Sequence, residues 1–175
     1  MQRETLIATI GAVVALVLDV VLSPNMMLFS ATPNFVIAYV VVLAMVFRDN
    51  AMYLIAFVLG ILCDCLGYGP VGALAFLLLL VALAAMRLSA MFDNGSMVTA
   101  MIMVAIFVVA VEFLHAFIML ALTSGVSAID AIVYLALPCS LFDAVLGLIM
   151  YPIVSLFFTD RGSTMGSEPP SARIL

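Results

Sequence analysis

A chain of 175 residues that is 68% hydrophobic and only 9% charged, with a mean hydropathy of +1.42, departs far from soluble domains, which are about half apolar and one-quarter charged. Such a composition is that of an integral membrane protein, one domain in length, whose core is a bundle of helices in lipid; it leaves no room for a water-soluble catalytic domain. The net charge is -5, but there is no lysine and the arginines stand singly, so nucleic-acid binding has no electrostatic basis.

The opening stretch, MQRETLIATIGAVVALVLDVVL, imitates a secretory signal, yet no small-x-small cleavage site ends it, and it reads as an uncleaved first helix. Arg3, Arg48, Arg87, Arg161 and Arg173 divide the chain into apolar stretches, each long enough for two crossings at about 20 residues per helix. A first hairpin runs from about Leu6 to Phe47, turning at Ser23-Pro24-Asn25 with a second break at Thr32-Pro33-Asn34. A second runs from about Ala51 to Met86 and turns at Gly67-Tyr68-Gly69-Pro70; a third runs from about Met97 to Phe158 and turns between Thr123 and Asp130. The expected fold is therefore an all-α integral membrane protein over residues 1–158, with six transmembrane helices as three hairpins. Every arginine then falls on the side of the termini, and the positive-inside rule makes that side cytoplasmic. Residues 159–175 turn abruptly to Ser, Gly and Pro and read as a disordered cytoplasmic tail.

Several stretches invite a chemical reading. GYGPVG, from Gly67 to Gly72, matches G-x-G-x-x-G, but a dinucleotide site needs a strand before it and a helix N-terminus facing a cytoplasmic cofactor. Here it joins two membrane helices on the outer side, so its glycines form a turn and Pro70 stands near the first turn of the next helix. Cys63, Asp64 and Cys65 are consecutive and diverge by about 100° each on a helix. Cys139 is the one further cysteine, too few for a closed zinc site or a disulfide framework; packing cysteines are the simpler account. The 13 methionines form no Met-x-x-Met cluster in an outer loop and read as packing residues.

The embedded acids are less easily set aside, because a charge at mid-helix costs about 2.5 to 3.5 kcal/mol on insertion scales. Each is accompanied by small residues at helical spacing: Gly11 and Ala15 with Asp19, Gly60 and Gly67 with Asp64, Gly147 with Asp143. These faces point to helix contacts. Glu112 and His115, three apart, form a further polar cluster. ExxH occurs in di-metal bundles, which need a second such pair that this chain lacks, so an internal hydrogen bond between histidine and a carboxyl is the plainer alternative to metal binding. A proton or cation route through Asp143, Glu112 and His115 toward Asp64 and Asp19 requires a water-lined path. Asp19 and Asp64 could also face each other as an acid and base for peptide hydrolysis, but the signatures of intramembrane aspartyl proteases do not surround them. No catalytic residue, metal centre or cofactor is expected.

Three stretches, TPNFVIAYVVV, LGILCDCLGYGPVGALAF and LPCSLFDAVLGLIMYPIV, together with six short helices, resemble the rod-shape-determining membrane protein MreD family. In that family the second helix opens with Pro followed by Asp or Asn, as Pro33 and Asn34 do. A G-x-x-x-D before a glycine-bearing turn corresponds to Gly60, Asp64, Gly67 and Gly72. The sixth helix often carries Pro and, five residues later, Asn; Pro138 is followed instead by Asp143, a position where a neutral hydrogen-bonding carboxyl would serve. The resemblance implies a multi-pass protein of the bacterial cytoplasmic membrane, a non-enzymatic scaffold of cell elongation. It implies MreC as partner and, through it, MreB, the glycosyltransferase RodA and a class B transpeptidase. It also implies a fold similar to the substrate-binding subunits of energy-coupling-factor transporters. On this reading Asp64, Asp19, Asp143 and the small-residue faces bind a partner helix or pack helices together. The runner-up is a transporter subunit that captures a small solute through residues such as Tyr68 and Asn25, docking its coupling protein on Gly11, Ala12 and Ala15.

Overall fold

The structure is a computed structural model that describes residues 2–26, 31–67, 70–91, 96–122, 129 and 131–158. The expected tail, 159–175, lies outside the described residues, as do Tyr68, Gly69 and most of the turn expected between Thr123 and Asp130. The described residues form six α-helices: α1 Gln2–Val21, α2 Phe35–Val46, α3 Ala51–Leu66, α4 Ala73–Met91, α5 Met97–Leu122 and α6 Leu137–Phe158. A 3-10 turn at Ser23–Asn25 follows α1, and a π-helical segment, Ala131–Ala136, runs directly into α6.

Four of these helices are long and apolar enough to cross a membrane: α1 with its following turn, α4, α5 and α6. At 12 and 16 residues, α2 and α3 extend about 18 Å and 24 Å, short of a hydrocarbon core about 30 Å thick. The hairpin partners expected from the sequence do pack on each other, α1 on α2, α3 on α4 and α5 on α6.

The shortest helix is the centre of the fold. FVIAYVVVLAMV is apolar on every side, a composition that only a fully enclosed helix or a bare membrane span tolerates. Here α2 is enclosed: it touches all five other helices, and every residue from Phe35 to Met45 is buried. Its polar atom, the Tyr39 hydroxyl, donates to the Ala8 carbonyl at 2.8 Å, because a buried hydroxyl without a partner is costly. The outer helices turn large side chains such as Leu6, Phe76, Ile106 and Ile149 outward, where lipid replaces water as the solvent.

Small residues let the helices close in. A Cβ on Gly60 would lie 2.3 Å from the Cα of Ala75, so α3 and α4 meet backbone to backbone at that point. Ala8, Ala12 and Ala15 are buried along α1, and Gly147 on α6 faces Val104 and Val108 of α5. Ala12 and Ala15 are thus occupied within the chain, which corrects the expectation that they stand open for a docking protein, and the half-buried Gly11 lies over the Tyr39 ring, with a Cβ reaching 2.8 Å from Cζ.

Directions follow from cross-helix contacts. Tyr39 reaches Ala8 and the Phe35 N–H reaches Asp19, so α1 and α2 are antiparallel. Asn34 meets Asp143, and the Phe47 and Phe158 rings meet with centroids 5.5 Å apart, so α2 and α6 run parallel. Arg48 at the end of α2 donates to the Ser89 carbonyl near the end of α4 at 2.9 Å. One end of the bundle therefore holds Arg3, Arg48 and Arg87, and the other holds Asp19, Asp64 and Asp143.

Candidate functional site: carboxylates at the helix starts

An α-helix leaves its first four N–H groups without intrahelical partners, and in lipid each unsatisfied group costs several kcal/mol. Because α2 and α4 begin inside the bundle, their starts need acceptors brought from elsewhere. Three aspartates supply them.

At the start of α2, the Asn34 N–H donates to Asp143 Oδ1 at 2.6 Å. The Phe35 N–H donates to Asp19 Oδ1 at 2.8 Å, the Val36 N–H also donates to Asp19, and the Ile37 N–H donates to the side-chain oxygen of Asn34 itself at 2.9 Å. All of the early donors are engaged. Asn34 adopts the extended backbone of an N-cap, and the Pro33 carbonyl before it accepts from the Ser23 hydroxyl at 2.6 Å, tying the 3-10 turn to the helix start.

At the start of α4, Asp64 plays the same part from α3. Its Oδ2 accepts from the Gly72 N–H at 2.8 Å and from the Ala75 N–H at 3.2 Å, and its Oδ1 accepts from the Leu74 N–H at 3.2 Å. Gly72 has φ +100° with nothing within 4 Å of an added Cβ, so glycine is required there for its left-handed backbone and not for space. Carboxyl oxygens at these positions also complement the positive end of each helix dipole. Gly67 ends α3, its N–H donating to the Cys63 carbonyl at 2.9 Å.

Asp143 is completely buried, at 0% exposure, and its Oδ2 has no donor among the described residues. The Glu112 carboxyl, 9% exposed, lies beside it on the facing helix. Glu112 turns toward α6, whereas His115 Nε2 is buried without a partner among the described residues. His115 Nε2 thus makes no part of the expected bond between the histidine and a carboxyl, and Glu112 lies instead beside Asp143, which comes from a helix packed directly on α5.

Asp19, Asn34, Asp64 and His115 border one cleft of about 420 Å³, completed by Pro24, Cys63, Gly67, Leu74 and Met119. The fold therefore gathers most of the expected site residues at one end of the bundle. Pro33 adjoins this cluster through Ser23, whereas Gly60 lies against Ala75 as a packing contact. Cys63, Cys65 and Cys139 are free thiols, and no group of three or more His, Cys, Asp and Glu among the described residues is placed to hold a metal ion. What sequence reasoning missed is the capping role. Asn34 directly before an apolar run is the ordinary N-cap signal, but acceptors supplied from α1, α3 and α6 carry no local signature.

Neither the curated proteins nor the solved structures yield a match to this chain. The family model of the rod shape-determining protein MreD, in contrast, matches residues 2–161, a stretch that contains all six helices and all three capping aspartates. The chain belongs to the MreD family of membrane proteins, with a role in determining rod shape.

Proposed function

We propose that the chain acts as a non-enzymatic membrane scaffold of the cell-elongation machinery, binding MreC and through it linking MreB, RodA and a class B transpeptidase. The observation that carries this reading is the commitment of the embedded aspartates to backbone N–H groups. Their chemistry is spent on shaping the bundle, which is what a scaffold requires. Family membership supports the assignment to shape determination.

In this reading all six helices cross the bacterial cytoplasmic membrane, with α2 completed by the extended segment before it, and both termini are cytoplasmic because the arginine-bearing end faces that side. Residues 1–158 form the membrane domain and 159–175 a disordered tail. Asp64 sets the shape of the α3–α4 turn, and the cleft bordered by Asp19, Asn34 and Asp64 is the face offered to the partner's outer membrane-proximal segment. Pro33, Gly60, Gly67, Gly72 and Asp143 act by holding that face in place.

A second reading draws on the same cleft. A cavity of about 420 Å³ lined by polar and apolar groups falls within the range of small-ligand pockets, about 300 to 1,000 Å³, as a solute-capturing subunit similar in fold to those of energy-coupling-factor transporters would need. Purification of the tagged chain from native membranes in mild detergent, with mass spectrometry of what is retained, separates the two. Recovery of MreC and wall synthases is the expected result. Recovery of paired ATPases with a coupling protein would replace the scaffold reading by the transporter one.

A further inference from the structure

The lipid-facing surface of the bundle is not equally tall on all sides. With 16 residues, α3 extends about 24 Å, whereas α5 has 26 residues and extends about 39 Å. Both turn large apolar side chains outward along their length, from Leu54 to Leu66 on α3 and from Val98 to Leu122 on α5. A helix longer than the hydrocarbon core is accommodated by tilting. Tilting only reduces the thickness a helix spans, so a short helix has no such remedy.

Neither end of α3 can be drawn into hydrocarbon. At its start the Ala51 N–H donates to Asp49 Oδ1 at 2.9 Å, between the exposed Arg48 and Asn50. At its other end the helix stops at the exposed Gly67, and non-helical backbone facing lipid is excluded from the hydrocarbon region. The shorter α2 escapes this constraint because protein encloses it. Against a hydrocarbon core about 30 Å thick, α3 falls short by about 6 Å.

A short span is relieved by thinning of the bilayer, by snorkelling of flanking side chains or by association with another helix. Snorkelling is closed: Arg48 is held by the Ser89 carbonyl at 2.9 Å, and Cys65, Leu66 and Gly67 at the far end have no long polar side chain. Close association of membrane helices relies on small residues at the contact, and Ala56 and Gly60 are buried inside the bundle, Gly60 against Ala75 of α4. The exposed positions along α3 are Leu54, Phe57, Val58, Leu62, Cys65 and Leu66.

We infer that the bilayer is thinned beside α3, so that this side of the bundle, unlike the α5 side, gathers phospholipids with short acyl chains. The inference rests on helix length and on which faces meet lipid, and it is independent of the polar cleft and of the scaffold reading.

The chain contains no tryptophan, so V58W on α3 and I106W on α5, at positions 45% and 61% exposed, each report the lipid touching one face. The full chain is reconstituted in vesicles of equal dimyristoleoyl and dieicosenoyl phosphatidylcholine, with bromine placed on one lipid and then on the other as a fluorescence quencher. The short-chain lipid is expected to quench V58W about twofold more strongly than the long-chain lipid does, and I106W should show no such preference. L54W and I102W, also at exposed positions of the same two helices, repeat the comparison where a first variant fails to reconstitute. A short-to-long ratio on α3 no greater than that on α5 overturns the inference. So does tryptophan on α3 that neither lipid quenches while tryptophan on α5 is quenched, because a second copy of the chain would then cover α3.

Discussion

The backbone N–H of Asn34 donates to Asp143 Oδ1 at 2.6 Å across 109 residues of chain, so the helix that closes the bundle holds the start of the helix at its centre. Asparagine at 143 keeps an acceptor oxygen for this bond and places an N–H₂ donor beside Glu112. D143N is therefore expected to stay within about 1 kcal/mol of wild type, while D143L, leaving a buried N–H unpaired, should lose about 2 to 3 kcal/mol. Thermal unfolding in detergent, followed by thiol-dye capture of the half-buried Cys63 and Cys139, reads the difference. Equal melting of D143L and wild type would remove the capping role.

Glu112 faces the same carboxyl. E112Q offers an amide donor to Asp143 Oδ2, which has none among the described residues, and should be at least as stable as wild type. E112L, which offers none, should be less stable by about 1 to 3 kcal/mol. In a double-mutant cycle with D143L the two losses should fall short of additive by about 0.5 kcal/mol or more, as residues in direct contact do. Strict additivity would show that the two carboxyls do not interact.

At Asp64 three N–H bonds converge on two oxygens. Asparagine retains one acceptor oxygen and turns an amide against the helix donors, so D64N should cost about 0.5 to 2 kcal/mol, the range of a lost N-cap, and D64L more. Amide exchange from Gly72 to Ala75 should rise selectively. In cells, D64L should widen the rod and reduce MreC retention. Normal width with normal retention would detach Asp64 from the proposed scaffold role.

The two close-packed glycines differ in what they touch. A Cβ at Gly60 meets the Ala75 backbone at 2.3 Å, whereas one at Gly147 meets the tip of the Val104 side chain at 2.9 Å. Side chains yield by changing rotamer and backbones do not, so G60A should destabilise by about 3 kcal/mol or more and G147A by about 1 kcal/mol. Comparable melting of the two variants would mean that α3 and α4 can separate at no cost.

Orientation is open to cysteine labelling on a background lacking native thiols. N50C, in an exposed position two residues after Arg48, and V71C, 70% exposed before α4, lie at opposite ends of the bundle. An impermeant maleimide added to whole cells, with the outer envelope made permeable where one is present, should label V71C and spare N50C. The reverse pattern would place the arginines outside.

Much of this protein was legible from residue order alone. Membrane class follows from hydropathy, helix number and pairing from the spacing of arginines between apolar runs, and the break before α2 from Pro33 and Asn34, because each of these is set by neighbours in the chain or by the thickness of the bilayer. Gly60, Asp64 and Asp143 stood out for the same reason: a glycine or a carboxyl in an apolar helix is a local anomaly.

What those residues do was decided only by the tertiary structure. The acceptor for the Asn34 N–H comes from α6 and that for Phe35 from α1, and no periodicity records which helix will lie beside which start. The same is true of α2. Its apolar run would suit a lipid-facing span, and it is 12 residues long and wholly enclosed only because five other helices close around it. Hydropathy registers transfer out of water, equally satisfied by lipid or by protein, so it specifies that α2 is buried and leaves to packing the question of what buries it.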